Sequence, residues 1–114
     1  MRGYRATPTE ELLTHLLAAN VPSAKLEHRF HPKRQWRLDL AWPQQRLGVE
    51  VHGAVHTQGR HTRGRGFTND REKMNEAQLL GWTVLEVTPE QIRNGQALAW
   101  IERALGLSKP QERP

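Results

Sequence analysis

Two carboxylates, Asp39 and Glu50, stand on stretches whose side chains alternate in polarity, and their spacing could build a cation site. Residues Trp36–Trp42 place Trp36, Leu38, Leu40 and Trp42 on one register and Arg37, Asp39 and Ala41 on the other. Residues Leu47–Val55 oppose Leu47, Val49 and Val51 to Gly48, Glu50 and His52. A period of two marks half-buried strands, and Pro43-Gln44-Gln45-Arg46 between them reads as the turn of a hairpin. Centring the turn between Gln44 and Gln45 pairs Asp39 with Glu50 and Arg37 with His52. Opposed residues of an antiparallel pair have Cβ atoms about 4.5–5.5 Å apart, where two like charges destabilise the sheet. A hard divalent cation between them reverses that sign, because such metals take carboxylate oxygens. Without a cation the same pattern is a hairpin with an exposed polar face, and a turn shifted by one residue would separate the pair. The small residues Ala41 and Gly48 would leave open room beside the carboxylates.

Other groups with chemistry surround this pair in the sequence. His52 shares the register of Glu50, and a reference pKa of about 6.5 would let it accept a proton from water. Read blandly, it is a hydrogen-bonded strand histidine. Residues His56–Gly66 combine glycines with His56, Arg60, His61, Arg63 and Arg65 and almost nothing apolar, as in an exposed loop. Its arginines could grip phosphates, with salt-sensitive affinity, or simply be solvated. On the helix expected next, Arg71, Asn75 and Gln78 fall on one polar stripe, with Lys73 off it. A zinc site from His52, His56 and His61 is an alternative, but those spacings suit a helix better than a glycine-rich loop. The four tryptophans, Trp36, Trp42, Trp82 and Trp100, read as core or edge packing.

Elements must hold these groups in place. Thr7-Pro8-Thr9-Glu10 is a capping box with proline at the first helical position, and Leu12, Leu13, Leu16 and Leu17 continue it as a helix ending near Asn20. Leu26–Phe30 is a short strand, and the two alternating runs follow. Phe67–Leu80 is a helix capped by Thr68 or Asn69 and stopped by Gly81. Trp82–Val87 is a strand, Thr88-Pro89-Glu90-Gln91 opens a short helix with a second capping box, and Gln96–Leu105 is a last helix. The order is helix, three strands, helix, strand, helix: an α/β chain of the α+β kind.

Length and composition bound the rest. With 114 residues, 36% hydrophobic and 25% charged, the chain suits one domain over residues 1–107 with a flexible tail from Ser108 to Pro114. It has no apolar run near the ~18 residues of a membrane span, and its first residues lack a signal peptide's apolar stretch, so a cytoplasmic location is the default. There is no cysteine, which removes disulfides, thiolate zinc sites and cysteine nucleophiles. A net charge of +5 and an isoelectric point near 10.4 raise the expectation of a polyanion partner.

The run R-L-D-L, a turn, then L-G-V-E-V-H resembles the PD-(D/E)XK nuclease superfamily. The longer stretch through F-H-P-x-R-x-W-R-L-D-L-A-W-P, G-R-H-T-R-G-x-G-F and L-L-G-W-x-V-L is similar to small phage-encoded endonucleases and to the very-short-patch-repair-like branch. This likeness spans roughly Leu26–Leu105. It implies a restriction-endonuclease-like core, with a central mixed four-stranded sheet flanked by helices. It also implies Mg²⁺ or Mn²⁺ on Asp39, Glu50 and the Val51 carbonyl, and hydrolysis of DNA phosphodiester bonds. In this pattern His52 stands where lysine is usual, and a histidine just after the metal strand resembles the very-short-patch branch. By the same likeness Lys73 or Gln78 would reach the site from the following helix, and Glu11 is a further acidic candidate on the first helix. From its place in the hairpin Arg37 could contact phosphate or simply balance the carboxylates, and Arg71 on the polar stripe could join the basic loop in contacting DNA or simply be solvated. The rival expectation is a nucleic-acid-binding domain on the same fold that does not cut. A homodimer or a partner protein would enlarge the small surface.

Overall fold

In the computed structural model, which describes residues 5–53 and 64–107, local capping and turn chemistry delimit most elements. Helix α1 (Pro8–Ala18) opens on the expected capping box: the Thr7 hydroxyl accepts the Glu10 N–H at 3.1 Å, and the Glu10 carboxylate accepts the Thr7 N–H at 2.9 Å. Asn20 leaves the helix with φ 61°, a left-handed conformation that asparagine tolerates better than most residues. Strands β1 (Lys25–Arg29), β2 (Arg37–Trp42) and β3 (Leu47–Val51) follow, with a 3₁₀ turn over Pro43–Gln45 between the last two. Then come α2 (Arg65–Leu79), β4 (Thr83–Val87), α3 (Pro89–Arg93) and α4 (Gln96–Ala104). Thr88 and Gln91 form the second capping box. The loop positions His56, Arg60, His61 and Arg63, and the tail from Ser108, lie outside the described residues.

Helix α2 begins earlier than the capping pattern suggests. Its N-cap is Gly64, at φ 86° and ψ −131°, and the Thr68 N–H is already bonded to the Gly64 carbonyl at 3.0 Å. That backbone conformation is open to glycine and hardly to other residues. The chain therefore turns into the helix at Gly64 without a side-chain cap, and Arg65 sits in the first turn of α2 rather than in a loop.

The four strands form one mixed sheet in the order β1-β2-β3-β4. β1–β2 and β2–β3 are antiparallel and β3–β4 is parallel, with α2 in the crossover that a parallel pair requires. Helices flank the sheet on both faces. One face carries the larger core: Leu12 and Leu16 of α1, Leu40 and Trp42 of β2, Leu47 and Val49 of β3, Val87 of β4, with Ile92 of α3 and Ala97 and Ile101 of α4. The other face carries α2 over a small cluster of Leu38, Ala41, Ala77 and Trp82. Trp42 donates its indole N–H to the Pro22 carbonyl at 2.8 Å, so this tryptophan packs as expected and fills its polar need. Among the described residues no helix is long and apolar enough to cross a membrane.

The alternation expected for β2 is broken at one place. Leu38 packs under α2 with Ala41, whereas Leu40 and Trp42 face the opposite core. The space beside Ala41 and Gly48, expected to be open, is filled by Leu38: a Cβ on Gly48 would lie 2.5 Å from a Leu38 methyl. Gly48→Ala should therefore destabilise the fold by about 1–3 kcal/mol through overpacking, and Leu38→Ala by about 2–5 kcal/mol through a cavity. In urea titrations the double variant should lose less than the sum of the two, because the new methyl occupies vacated space. Strict additivity would show that the two positions do not share that space.

Candidate active site at the end of the hairpin

The β2–β3 register is the expected one, pairing Trp42 with Leu47, Ala41 with Gly48 and Leu40 with Val49. Beyond Leu40 the ladder stops, so the expected Asp39–Glu50 pair is not one of its rungs. The Asp39 carboxylate instead accepts the Val51 N–H at 2.7 Å, so a side chain takes the place of a main-chain acceptor. A second irregularity lies one strand away. β1 pairs with β2 through Lys25–Ala41 and Leu26–Leu40, then in the same register through His28–Leu38 and Arg29–Arg37. Glu27, between these two sets and level with Asp39, is held at φ 50° in the left-handed region. The change of face between Leu38 and Leu40 thus falls beside this backbone conformation, without a shift of register. The expected Arg37–His52 pairing is not made, because the β2–β3 ladder has ended; the recorded cross-strand neighbour of Arg37 is Arg29 in β1.

Glu50 lies on the α2 side of β3. Lys73 reaches it from α2 with Nζ 3.0 Å from Oε2, and both side chains are only 15% exposed. Of the two candidates on this helix, Lys73 is therefore the one that reaches Glu50. Gln78 is exposed, and its position five residues on turns it about 140° around the helix. Burial pushes the Glu50 carboxyl above the usual carboxylate range, and the Asp39 charge adds to that. The Lys73 ammonium, which also hydrogen-bonds it, and more weakly His52, pull the other way. Asp39, His52 and Lys73 therefore all act electrostatically on Glu50.

His52 follows β3 and is tied to β4 twice. Its N–H bonds to the Val87 carbonyl at 2.9 Å, and its Nε2 lies 3.0 Å from Oε1 of Glu86. Glu86 is directly paired with Glu50 in the parallel β3–β4 register. The sequence reading passed over it. Its signal was a lone carboxylate within a strand of β-formers, but only the strand pairing sets it beside Glu50.

Asp39 also opens towards the start of α1, in a depression lined by Thr7, Pro8, Thr9, Asp39, Val51 and Gly53. The backbone passes so close there that a Cβ on Gly53 would lie 2.7 Å from Pro8 Cγ. Other sequence candidates are placed elsewhere or engaged otherwise. Glu11 forms an ion pair with Arg93 of α3 at 3.3 Å. Arg71 pairs with its neighbour Asp70 and lies over the Phe67 ring at 5.2 Å. Arg65 is exposed at the start of α2.

Among the described residues no three His, Cys, Asp or Glu side chains gather round one metal-sized point. The donors at hand are the carboxylates of Asp39 and Glu50 and the Val51 carbonyl. In a strand the N–H and C=O of one residue point to the same side, so the Val51 carbonyl is turned towards β2 together with the N–H that Asp39 accepts. Such a set fits Mg²⁺, which keeps several waters and commonly takes only one or two carboxylates from a protein. It fits zinc poorly: His52 is engaged with Glu86, and His56 and His61 lie outside the described residues.

No family model matches the chain, and no solved structure gives a significant match. Two curated proteins of Mycobacterium tuberculosis, one from strain H37Rv and one from strain CDC 1551 / Oshkosh, are each 28% identical to it over 108 residues; both are named only as uncharacterized. The match covers 91% of this chain and 38% of each relative, so the chain spans less than half the length of the curated proteins it resembles.

The raised Glu50 carboxyl has a definite effect on stability. A carboxyl whose folded pKa lies above its unfolded value favours the fold while protonated, and that contribution is lost as pH rises from the unfolded to the folded value. In chelator, the unfolding free energy of Glu50→Gln relative to the parent should therefore increase as pH is raised from about 4 to about 7. A flat or falling difference in urea titrations across that range would contradict the assigned direction.

Proposed function

We propose that the chain is a metal-dependent nuclease domain that hydrolyses phosphodiester bonds in DNA. The observation that carries this reading is Asp39 on the Val51 N–H and Lys73 on Glu50 where β2 and β3 part, with the Asp39 charge felt at Glu50. An acid from each of two adjacent strands with a lysine ammonium beside them is the residue chemistry of the PD-(D/E)XK pattern that the sequence resembles. The ammonium here comes from α2, and the position usual for lysine belongs to His52. The net charge of +5 suits a polyanionic substrate.

Asp39, Glu50 and the Val51 carbonyl would hold Mg²⁺ or Mn²⁺. When bound, such an ion supplies Lewis acidity towards a phosphate oxygen and lowers the pKa of a water. The remaining roles fall to the chain. Lys73 fixes one Glu50 oxygen and brings positive charge where the phosphate gathers negative charge. Glu86 orients the His52 ring through Nε2, which leaves Nδ1 to accept the proton of the attacking water. Arg65, and the basic positions Arg60 and Arg63 before it, would neutralise backbone phosphates.

Digestion of plasmid and single-stranded DNA with Mg²⁺ or Mn²⁺ tests the reading. The parent protein should cut; Asp39→Ala and Glu50→Ala should not; and His52→Ala should slow cutting about 10²–10⁴-fold. Cutting that survives both carboxylate substitutions would sink the mechanism. A parent protein that binds DNA yet cuts nothing would instead be the non-catalytic binding domain.

A further inference from the structure

The β1–β2 register sets two arginines facing each other. Arg29 and Arg37 are direct cross-strand partners, the last pair before the β1–β2 connection, and both are exposed. Directly opposed like charges destabilise an antiparallel pair. Among the described residues neither guanidinium group has an ion-pair or hydrogen-bond partner, whereas the side chains of Arg34, Lys73 and Arg93 each have an acidic one. The unrelieved pair lies at the same end of the sheet as Asp39, two residues from it along β2.

The connection beyond the pair is held by α2. His31, 12% exposed, accepts the N–H groups of Lys33 and Arg34 on Nδ1 at 3.1 and 2.9 Å, and its Nε2 lies 3.0 Å from a Glu76 oxygen. Nδ1 therefore carries no proton, and Nε2–H donates to Glu76. Arg34 contacts Glu72 at 3.4 Å and lies 3.8 Å over the Trp36 ring. Both contacts consume the charge of Arg34. Lys33 remains exposed, with its backbone fixed and no acidic partner for its ammonium among the described residues.

We infer that Arg29, Arg37 and Lys33 form a preorganised platform for the phosphates of a nucleic-acid strand that continues into the Asp39–Glu50 site. An anion bridging Arg29 and Arg37 converts their repulsion into attraction, and the histidine-clamped turn presets the backbone of the third cation, which lowers the ordering cost of binding. The inference rests on the nuclease reading for the strand's destination. Its evidence, a cross-strand pair of cations on a rigid turn, is independent of the catalytic residues.

Binding of labelled single-stranded and duplex DNA, followed by anisotropy in chelator over a series of salt concentrations, tests it. Each phosphate contact contributes about 0.7–0.9 to the slope of log affinity against log salt. Arg29→Gln/Arg37→Gln should shrink that slope by about 1.4–1.8 and weaken binding several-fold on every sequence. Arg37→Glu, which offers Arg29 an ion-pair partner, should weaken it further. Arg103→Gln, on the last helix, should leave both values unchanged. The double variant should melt no lower than the parent, since it removes a repulsive pair, so lost binding cannot be put down to misfolding. A slope unchanged in the double variant overturns the platform, as does a parent protein that binds no DNA. The cutting assay reports separately: cutting with an unchanged slope keeps the nuclease and discards the platform, and a reduced slope without cutting does the reverse.

Discussion

The 2.7 Å hydrogen bond from the Val51 N–H to the Asp39 carboxylate is the constraint on which the site depends. It occurs where the recorded β2–β3 ladder ends and a main-chain donor would otherwise lack its strand partner. A backbone N–H away from water must be satisfied, so the donor fixes the carboxylate as firmly as the carboxylate fixes the strand end. The same contact draws negative charge towards Glu50, whose own burial already disfavours ionisation. Lys73 relieves part of that cost, which gives α2 an electrostatic reason to lie where it does.

The hairpin was legible because its information is local. Pro43 to Arg46 define the turn, Leu47 and Val49 alternate with Gly48 and Glu50, and the register follows by counting. Both capping boxes were legible for the same reason, since each is closed within four residues. The break at Asp39 was not. It falls beside Glu27, a residue in a different strand whose left-handed backbone has no signature in its side chain. Leu38 lies on the other face, where it fills the open space expected beside Gly48. The early start of α2 was hidden because a glycine cap competes silently with the visible hydroxyl and amide caps at Thr68 and Asn69.

The site residues divide along the same line. Asp39 and Glu50 could be brought together from the sequence because one short turn joins their strands. Lys73 and Glu86 reach Glu50 only through the crossover that makes β3 and β4 parallel, and no spacing in the chain encodes that arrangement. Glu86 in particular gained meaning only when its strand proved to be the neighbour of β3 and its carboxylate the partner of His52.

The two faces of the sheet are unequally filled. Three helices share the broad core on one side, whereas α2 rests on Leu38, Ala41, Ala77 and Trp82 and is otherwise pinned by polar contacts such as His31–Glu76 and Lys73–Glu50. A layer with few buried apolar contacts opens at a lower free energy than the rest of a domain. The carboxylates are thus carried by strands set in the larger core, and the lysine by the helix over the smaller one. An opening of α2 would leave Asp39 and Glu50 on their strands and uncover Glu50 to solvent and to whatever the solvent carries.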